Sequence, residues 1–330
     1  MIDLHLHLDG SLEADTILHL AQHDGVALPA QDAKGLKPYI TAPGGKGLAG
    51  YLACFDLPLR VLQTPYSLTY AVSALIEQLD SEGMRYAEIR FAPQLHTRNG
   101  MSQQEVVEAA LRGLEQGVGK SRHMGAQLIL CCMRGADNHL ENEQTVRLAR
   151  EYLGSGVAAV DLAGAEEKFP TSDYRALFAE AARLDVPFTI HAGEADGAQS
   201  VRAAVEFGAR RIGHGVRMCE DEEVMELVIE QGIALELCPT SNLQTGAVRS
   251  LRSYPIRRFL NAGVIATVNT DNRTVSGTTI KKELALLRQG ISLTAEEEKM
   301  LLLNAIYASF LPEEEKQVLS EQIYVHGCYV

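Results

Sequence analysis

The sequence predicts an α/β fold of one kind: a single TIM-type (β/α)8 barrel with a helical insertion after the first strand and extra helices at its C-terminal end. Three observations predict it. Short apolar runs alternate with longer segments of helical period, the runs number eight, and nearly every run ends on a polar residue. The expected strands are residues 2–6, 85–91, 126–133, 157–163, 187–191, 211–214, 233–237 and 264–269. An open, doubly wound sheet would gather its active residues at one switch point. Here ligand-type side chains are spread over many strand ends, which is what the C-terminal rim of a barrel produces. Residues 1–330 are therefore read as one domain.

The first run carries His5, with His7 just beyond it. Side chains on a strand repeat every two residues, so both imidazoles share a face, and in a barrel that face is the interior. Residues 25–64 are too long for an ordinary connection and hold Gly44, Gly45 and Gly47 ahead of an apolar stretch, so a lid or small helical insertion is expected there. After the second run, Ser102 and Glu105 form a capping box. It opens a helix whose Val106, Val107, Ala110, Leu111 and Leu114 fall on one face. Beyond the eighth run, residues 279–289, 294–310 and 312–323 read as closing helices.

A hydrophobic content of 46% supports a sizeable core, and a formal charge of -13 argues against nucleic acid as the partner, because such proteins carry a basic face. A neutral or cationic small molecule fits better. The six cysteines show no CxxC pair, so neither a disulfide framework nor a cysteine-bound zinc is expected, and a reducing cytoplasm is the natural setting. The N-terminus lacks the basic and apolar regions of a signal peptide, and no uninterrupted apolar stretch is long enough for a membrane span. The sequence specifies no oligomeric state.

Four further residues join His5 and His7 as candidates for chemistry. His191 ends the fifth run (FTIHAGE), His214 the sixth (IGHGV) and Asp271 follows the eighth (VNTDN). Any one of these histidines alone reads equally well as a satisfied core residue. Imidazoles and a carboxylate converging on a barrel mouth suit a divalent metal of borderline softness, most simply zinc. Binuclear barrel hydrolases bridge a second ion with a carboxylated lysine on a middle strand, and the fourth run ends Asp161-Leu162-Ala163-Gly164 with no lysine, so one ion is expected. Glu194, three residues past His191, lies on the turn at the rim, where partial desolvation would raise its pKa and suit it to general acid catalysis. The plainer alternative is a surface glutamate opening the next helix. A metal would lower the pKa of a bound water toward neutrality, and no GxSxG elbow or reactive-cysteine context competes as a source of nucleophile.

The motifs HLHLDGSL (5–12), LAGAE (162–166), HAGE (191–194), GHG (213–215), CPTSN (238–242) and NTD (269–271) resemble those of the adenosine deaminase family, in order and over nearly the whole chain. The resemblance implies one zinc ion and a purine nucleoside as the small-molecule partner: adenosine or deoxyadenosine is converted to the inosine nucleoside plus ammonia. Carried over by position, His5, His7, His191 and Asp271 would bind zinc, and Glu194 would protonate purine N1 while hydroxide attacks C6. His214 would orient that hydroxide, and Asp271 would also accept its hydrogen bond. The Gly164 N–H would meet purine N3, and His7 and Asp9 would lie at the ribose. Leu48, Tyr51, Leu52 and Phe55 would form an apolar gate, or else plain helix packing. Related adenine deaminases commonly have glutamate in place of Asp9, which favours a nucleoside over a free base.

Two positions depart from the family pattern. Asn272 replaces a frequent aspartate; its amide N–H can still serve purine N7, an acceptor. Ala165 also replaces a frequent aspartate, and nothing in the sequence explains it. The H-x-E and P-C-x-x-C signature of the cytidine-type zinc deaminases is absent. Two rival readings remain: the same chemistry on a 5′-modified adenosine (aminodeoxyfutalosine, methylthioadenosine) or on free adenine, and a non-catalytic metal-binding barrel.

Overall fold

The computed structural model describes the backbone of residues 1–42 and 47–326, and the side chains of 1–42 and 50–321. Eight strands form its centre: β1 (Ile2–His7), β2 (Tyr86–Phe91), β3 (Gly125–Met133), β4 (Val157–Ala163), β5 (Thr189–Ala192), β6 (Arg211–His214), β7 (Ala234–Leu237) and β8 (Ile265–Val268). They pair in sequence order as two four-stranded parallel sheets, β1 to β4 and β5 to β8. The halves meet at two seams, each an isolated parallel bridge: Val160 to Phe188 between β4 and β5, and Leu6 to Asp271 between β1 and the end of β8. At the second seam the Asp271 N–H donates to the His5 carbonyl and the His7 N–H to the Asp271 carbonyl, both at 2.7 Å.

The period of two decides what faces inward. On β1, Leu4 packs against Ala305 and Ile306 of a C-terminal helix, while Asp3 and His5 hydrogen-bond across the barrel interior to Thr270 and Glu236. Burial of the apolar residues between strands and surrounding helices forms the main core, which includes Leu6, Ile89, Leu130, Phe178 and Phe259.

The connection after β1 is the expected helical insertion. Helix Ala14–Asp24 is followed by short helices Ala33–Ile40, Gly47–Leu52 and Asp56–Val61. Asp32 caps the second by accepting the Gly35 N–H at 2.7 Å. The insertion docks on the segment after β8: the Ala42 N–H donates to the Val275 carbonyl at 2.8 Å, and the Tyr51 hydroxyl lies 2.8 Å from Ser276 Oγ. The Ser102–Glu105 capping box is present on helix Gln103–Lys120. The closing helices are Ile280–Ile291, Ala295–Ala308 and Glu313–His326. Among the described residues no helix is long and apolar enough to cross a membrane.

Candidate active site

β1 delivers His5 and His7, β5 delivers His191, and the segment after β8 delivers Asp271, all to the C-terminal end of the barrel. Asp271 has φ 58 and His214 φ 62, left-handed conformations that a non-glycine residue adopts at a cost. At Asp271 the two backbone bonds to β1 hold that conformation. His7 Nε2 lies 3.2 Å from His191 Nε2 and 3.4 Å from Asp271 Oδ1, and His5 Nε2 lies 3.5 Å from the same oxygen. A tetrahedral ion with ligand bonds of ~2.0–2.1 Å has its ligands about 3.3–3.4 Å apart. These atoms are therefore spaced as the corners of a tetrahedral site for a small divalent ion. The His5 Nε2 atom is buried with no hydrogen-bond partner, an orphan that a cation would satisfy. Ligand atoms of His5, His191, His214 and Asp271 also all lie within 4.8 Å of one another, so distance alone leaves five candidates for the ion.

Protonation states separate them. His5 Nδ1 lies 2.7 Å from Glu236 Oε2. Burial opposes ionisation of Glu236, but Arg90, Arg211 and His5 hold its carboxyl well below the usual range, so it accepts from Nδ1–H and leaves the Nε2 lone pair facing the centre. His191 is held the same way, with Nδ1 2.9 Å from Asp161 Oδ2. Against its own burial cost, Asp161 is kept ionised by His191 and Arg90. Burial pushes the His7 pKa well below its ordinary value, which favours the neutral ring there. His214 is different. Asn242 accepts the Tyr254 hydroxyl at Oδ1 (2.9 Å), which turns Nδ2 to donate to His214 Nδ1 at 3.0 Å. With Nδ1 accepting that bond, the His214 ring carries its proton on Nε2, which makes that nitrogen a donor.

That Nε2 lies 3.5 Å from Glu194 Oε2. Glu194 is partly buried, and its Oε1 accepts the Thr245 hydroxyl at 3.2 Å. Gly213 makes room for this arrangement, since a Cβ there would sit 3.0 Å from His5 Cε1.

A cavity of about 240 Å³ opens onto these groups. His7, His191, Glu194, His214 and Asp271 line its floor, and Asp9, Gly164 and Asn272 line its sides. Tyr51, Leu52 and Phe55 cover it from the insertion; the side chain of Leu48 lies outside the described residues. Burial pushes the Asp9 carboxyl up to about 6. Asn272 donates one N–H to the Tyr51 hydroxyl at 3.0 Å, while its Oδ1 is buried without a partner. A larger cavity, about 430 Å³, lies between the barrel wall and the C-terminal helices, and its mainly apolar lining brings no chemistry together.

Arg90, Asp161, Glu236 and Asn242 were not among the residues the sequence singled out for a role. Arg90, fully buried on β2, donates to Asp161 Oδ2 and Glu236 Oε2, both at 2.9 Å, and so joins the partners of two histidines. For Arg90, Asp161 and Glu236 the need for a partner was legible, because a charge within a buried strand must have one, but the identity of the partner was not.

The adenosine deaminase family model matches residues 1–326. The adenosine deaminase of Haemophilus ducreyi is 52% identical over 327 residues, covering 98% of this chain and 95% of that protein. That of Enterococcus faecalis is 41% identical over 323 residues, with 98% and 95% covered. Among solved structures, an adenine deaminase from Arthrobacter aurescens superposes with a TM-score of 0.87 at 27% identity, over 98% of this chain and 97% of its own. An Arabidopsis N6-mAMP deaminase gives 0.86 at 26% identity, covering 98% and 97%. The match spans the barrel, its insertion and the histidine cluster alike, and the chain belongs to the adenosine deaminase family.

Proposed function

We propose that this protein hydrolyses adenosine, and deoxyadenosine, at purine C6, consuming one water and releasing ammonia and the inosine nucleoside. The observation that carries the reading is the floor of the cavity: a metal-spaced set of histidines and Asp271, with the Glu194 carboxyl and the His214 N–H side by side next to it. The relatives named above, called adenosine deaminases, support the nucleoside as substrate.

His5, His7, His191 and Asp271 would hold one zinc ion, which when bound would lower the pKa of a water toward neutrality and so supply the nucleophile. The nitrogen-rich donor set, with a single carboxylate, suits zinc better than magnesium or calcium. Glu194 carries the proton for purine N1. Protonation there drains electron density from the ring and makes C6 a better electrophile. Thr245 fixes the carboxyl from its far side. His214, kept as the Nε2–H tautomer by Asn242, donates to the oxygen that gains charge at C6. Asp271 accepts a hydrogen bond from the attacking water and sets its face of approach.

The side walls bind and orient. The Gly164 N–H meets N3, the free N–H of Asn272 meets N7, and His7 and Asp9 lie at the ribose. Tyr51, Leu52 and Phe55 exclude water. One barrel domain carries all of this, in a cytoplasmic setting that fits the buried thiols Cys131, Cys132 and Cys238, none of them in a disulfide.

Ammonia release from a panel of adenosine, deoxyadenosine, methylthioadenosine, aminodeoxyfutalosine and adenine tests the substrate, with the highest kcat/KM expected for adenosine. Glu194→Gln should lose nearly all turnover while retaining zinc; undiminished turnover would remove Glu194 from the reaction.

A further inference from the structure

Glu166 is used by none of the steps above. It lies three residues beyond the end of β4 and is 3% exposed. Its Oε1 accepts the Gly193 N–H at 2.7 Å and the Ser200 hydroxyl at 2.5 Å. Its Oε2 accepts the N–H groups of Glu194 (3.0 Å), Ala195 (2.7 Å) and Asp196 (3.0 Å). Four consecutive backbone donors converge on one carboxylate, a concave anion nest occupied by the protein's own side chain. Gly193, at φ 69, starts the curl, and a Cβ there would also press to 2.6 Å from Val201 Cγ2.

The carboxylate is anchored from behind. Ser200 Oγ lies 2.6 Å from Thr171 Oγ1, which accepts Arg134 at 2.9 Å, and Arg134 donates to the His191 carbonyl at 2.6 Å. Burial works against the charge, but Ser200, the nest N–H groups and Arg134 hold the Glu166 carboxyl below its usual range.

The clamped residues are the turn that carries Glu194. That side chain has several rotatable bonds, yet its own partners are one hydroxyl at 3.2 Å and one imidazole at 3.5 Å. Where its carboxyl sits is therefore decided mainly by where its backbone is held. We propose that Glu166 is the positioning residue of the reaction's acid, clamping residues 193–196 so that the Glu194 carboxyl stands at the height of purine N1. The proposal rests on the reading of Glu194 as that acid.

Glu166→Gln keeps the shape and turns one nest oxygen into a donor that faces other donors. A displacement of about 1 Å at a reacting group costs on the order of 10²-fold in rate. We expect kcat for adenosine to fall about tenfold to a hundredfold, with KM within about twofold of wild type and zinc content unchanged. Amide hydrogen exchange at residues 193–196 should accelerate in the same variant. Ser200→Ala, which removes one donor and no charge, should lower kcat in the same direction by a few-fold, and it carries the test should the glutamine variant not fold. A glutamine variant with wild-type kcat overturns the proposal. So does one in which kcat and zinc content fall while KM rises to a similar extent, since that marks a general scaffold. An active Glu194→Gln protein would instead sink the assignment of the acid, a result independent of Glu166.

Discussion

Asp161→Asn probes how the proposed metal centre is built without touching a proposed ligand. In the wild-type protein both Asp161 oxygens face donors: Oδ1 accepts the Leu162 N–H at 2.7 Å and lies 3.1 Å from His191 Nδ1, while Oδ2 accepts Arg90 at 2.9 Å and lies 2.9 Å from the same imidazole nitrogen. Asparagine has only one acceptor. If its oxygen takes the Oδ1 place, its NH2 faces the Arg90 guanidinium; if its oxygen takes the Oδ2 place, its NH2 faces the Leu162 N–H; in both, His191 Nδ1 keeps only a neutral amide oxygen as acceptor. Either way one charge-assisted hydrogen bond is lost, worth ~1.5–3 kcal/mol. Zinc affinity should therefore fall about tenfold to 150-fold, since 1.4 kcal/mol is tenfold. Arg90 keeps Glu236 at 2.9 Å and the Leu4 carbonyl at 2.6 Å, so the barrel should still fold. Chelator competition on the metal-free protein reads the affinity, and urea unfolding of the same sample reads the fold. Zinc binding within threefold of wild type, in a variant of unchanged stability, would refute the claim that Asp161 sets the His191 tautomer.

Two further predictions use the same reasoning. Asn242→Asp replaces the donor to His214 Nδ1 with an acceptor and moves the ring proton away from Glu194, so kcat should fall on the order of 10²-fold with KM little changed; equal loss in both would point to a collapsed pocket. For Asp9, burial raises the carboxyl from 3.8 to about 6, so folding favours its protonated form. The resulting penalty is absent below the unfolded value and complete above the folded one. Asp9→Asn should therefore stabilise the metal-free protein at pH 8, by up to about 3 kcal/mol, with the gain fading toward pH 4; urea midpoints at the two pH values test the slope.

The parts of the site legible in the sequence are those whose signal is local. His5 and His7 share a face because a strand alternates, and His191 and His214 each close an apolar run, so their convergence followed from the barrel itself. The insertion was legible from its length and glycines, but not its docking on Ser276, which is 225 residues from Tyr51. The pairing of the buried charges was hidden for the same reason. Arg90 and Glu236 are 146 residues apart, and their pairing depends on how the two half-sheets close across the barrel. Nor does spacing distinguish a histidine that binds a metal from one that donates a proton. In the proposed roles that difference rests on which group meets Nδ1: a carboxylate for His5 and His191, an amide for His214.

Those buried charges also explain why the interior is not filled with aliphatic side chains. Glu88, Arg211, Glu236, Arg90 and Asp161 form one connected ladder, and Asp271 stands beside His5 at its upper end. Buried ion pairs of this kind rarely add net stability, because desolvation consumes most of the Coulombic gain. Their value has to lie elsewhere. Within this set four carboxylates stand against two guanidiniums, an excess of two negative charges that a divalent cation at the histidine end would bring to zero. A surplus of that size in a low-dielectric interior would draw the cation in, and its Glu236 and Asp161 carboxylates fix the His5 and His191 protons on the side away from it. An apolar replacement could fill the same volume but would do neither, so the ladder follows from the chemistry at its upper end and not from the stability of the barrel.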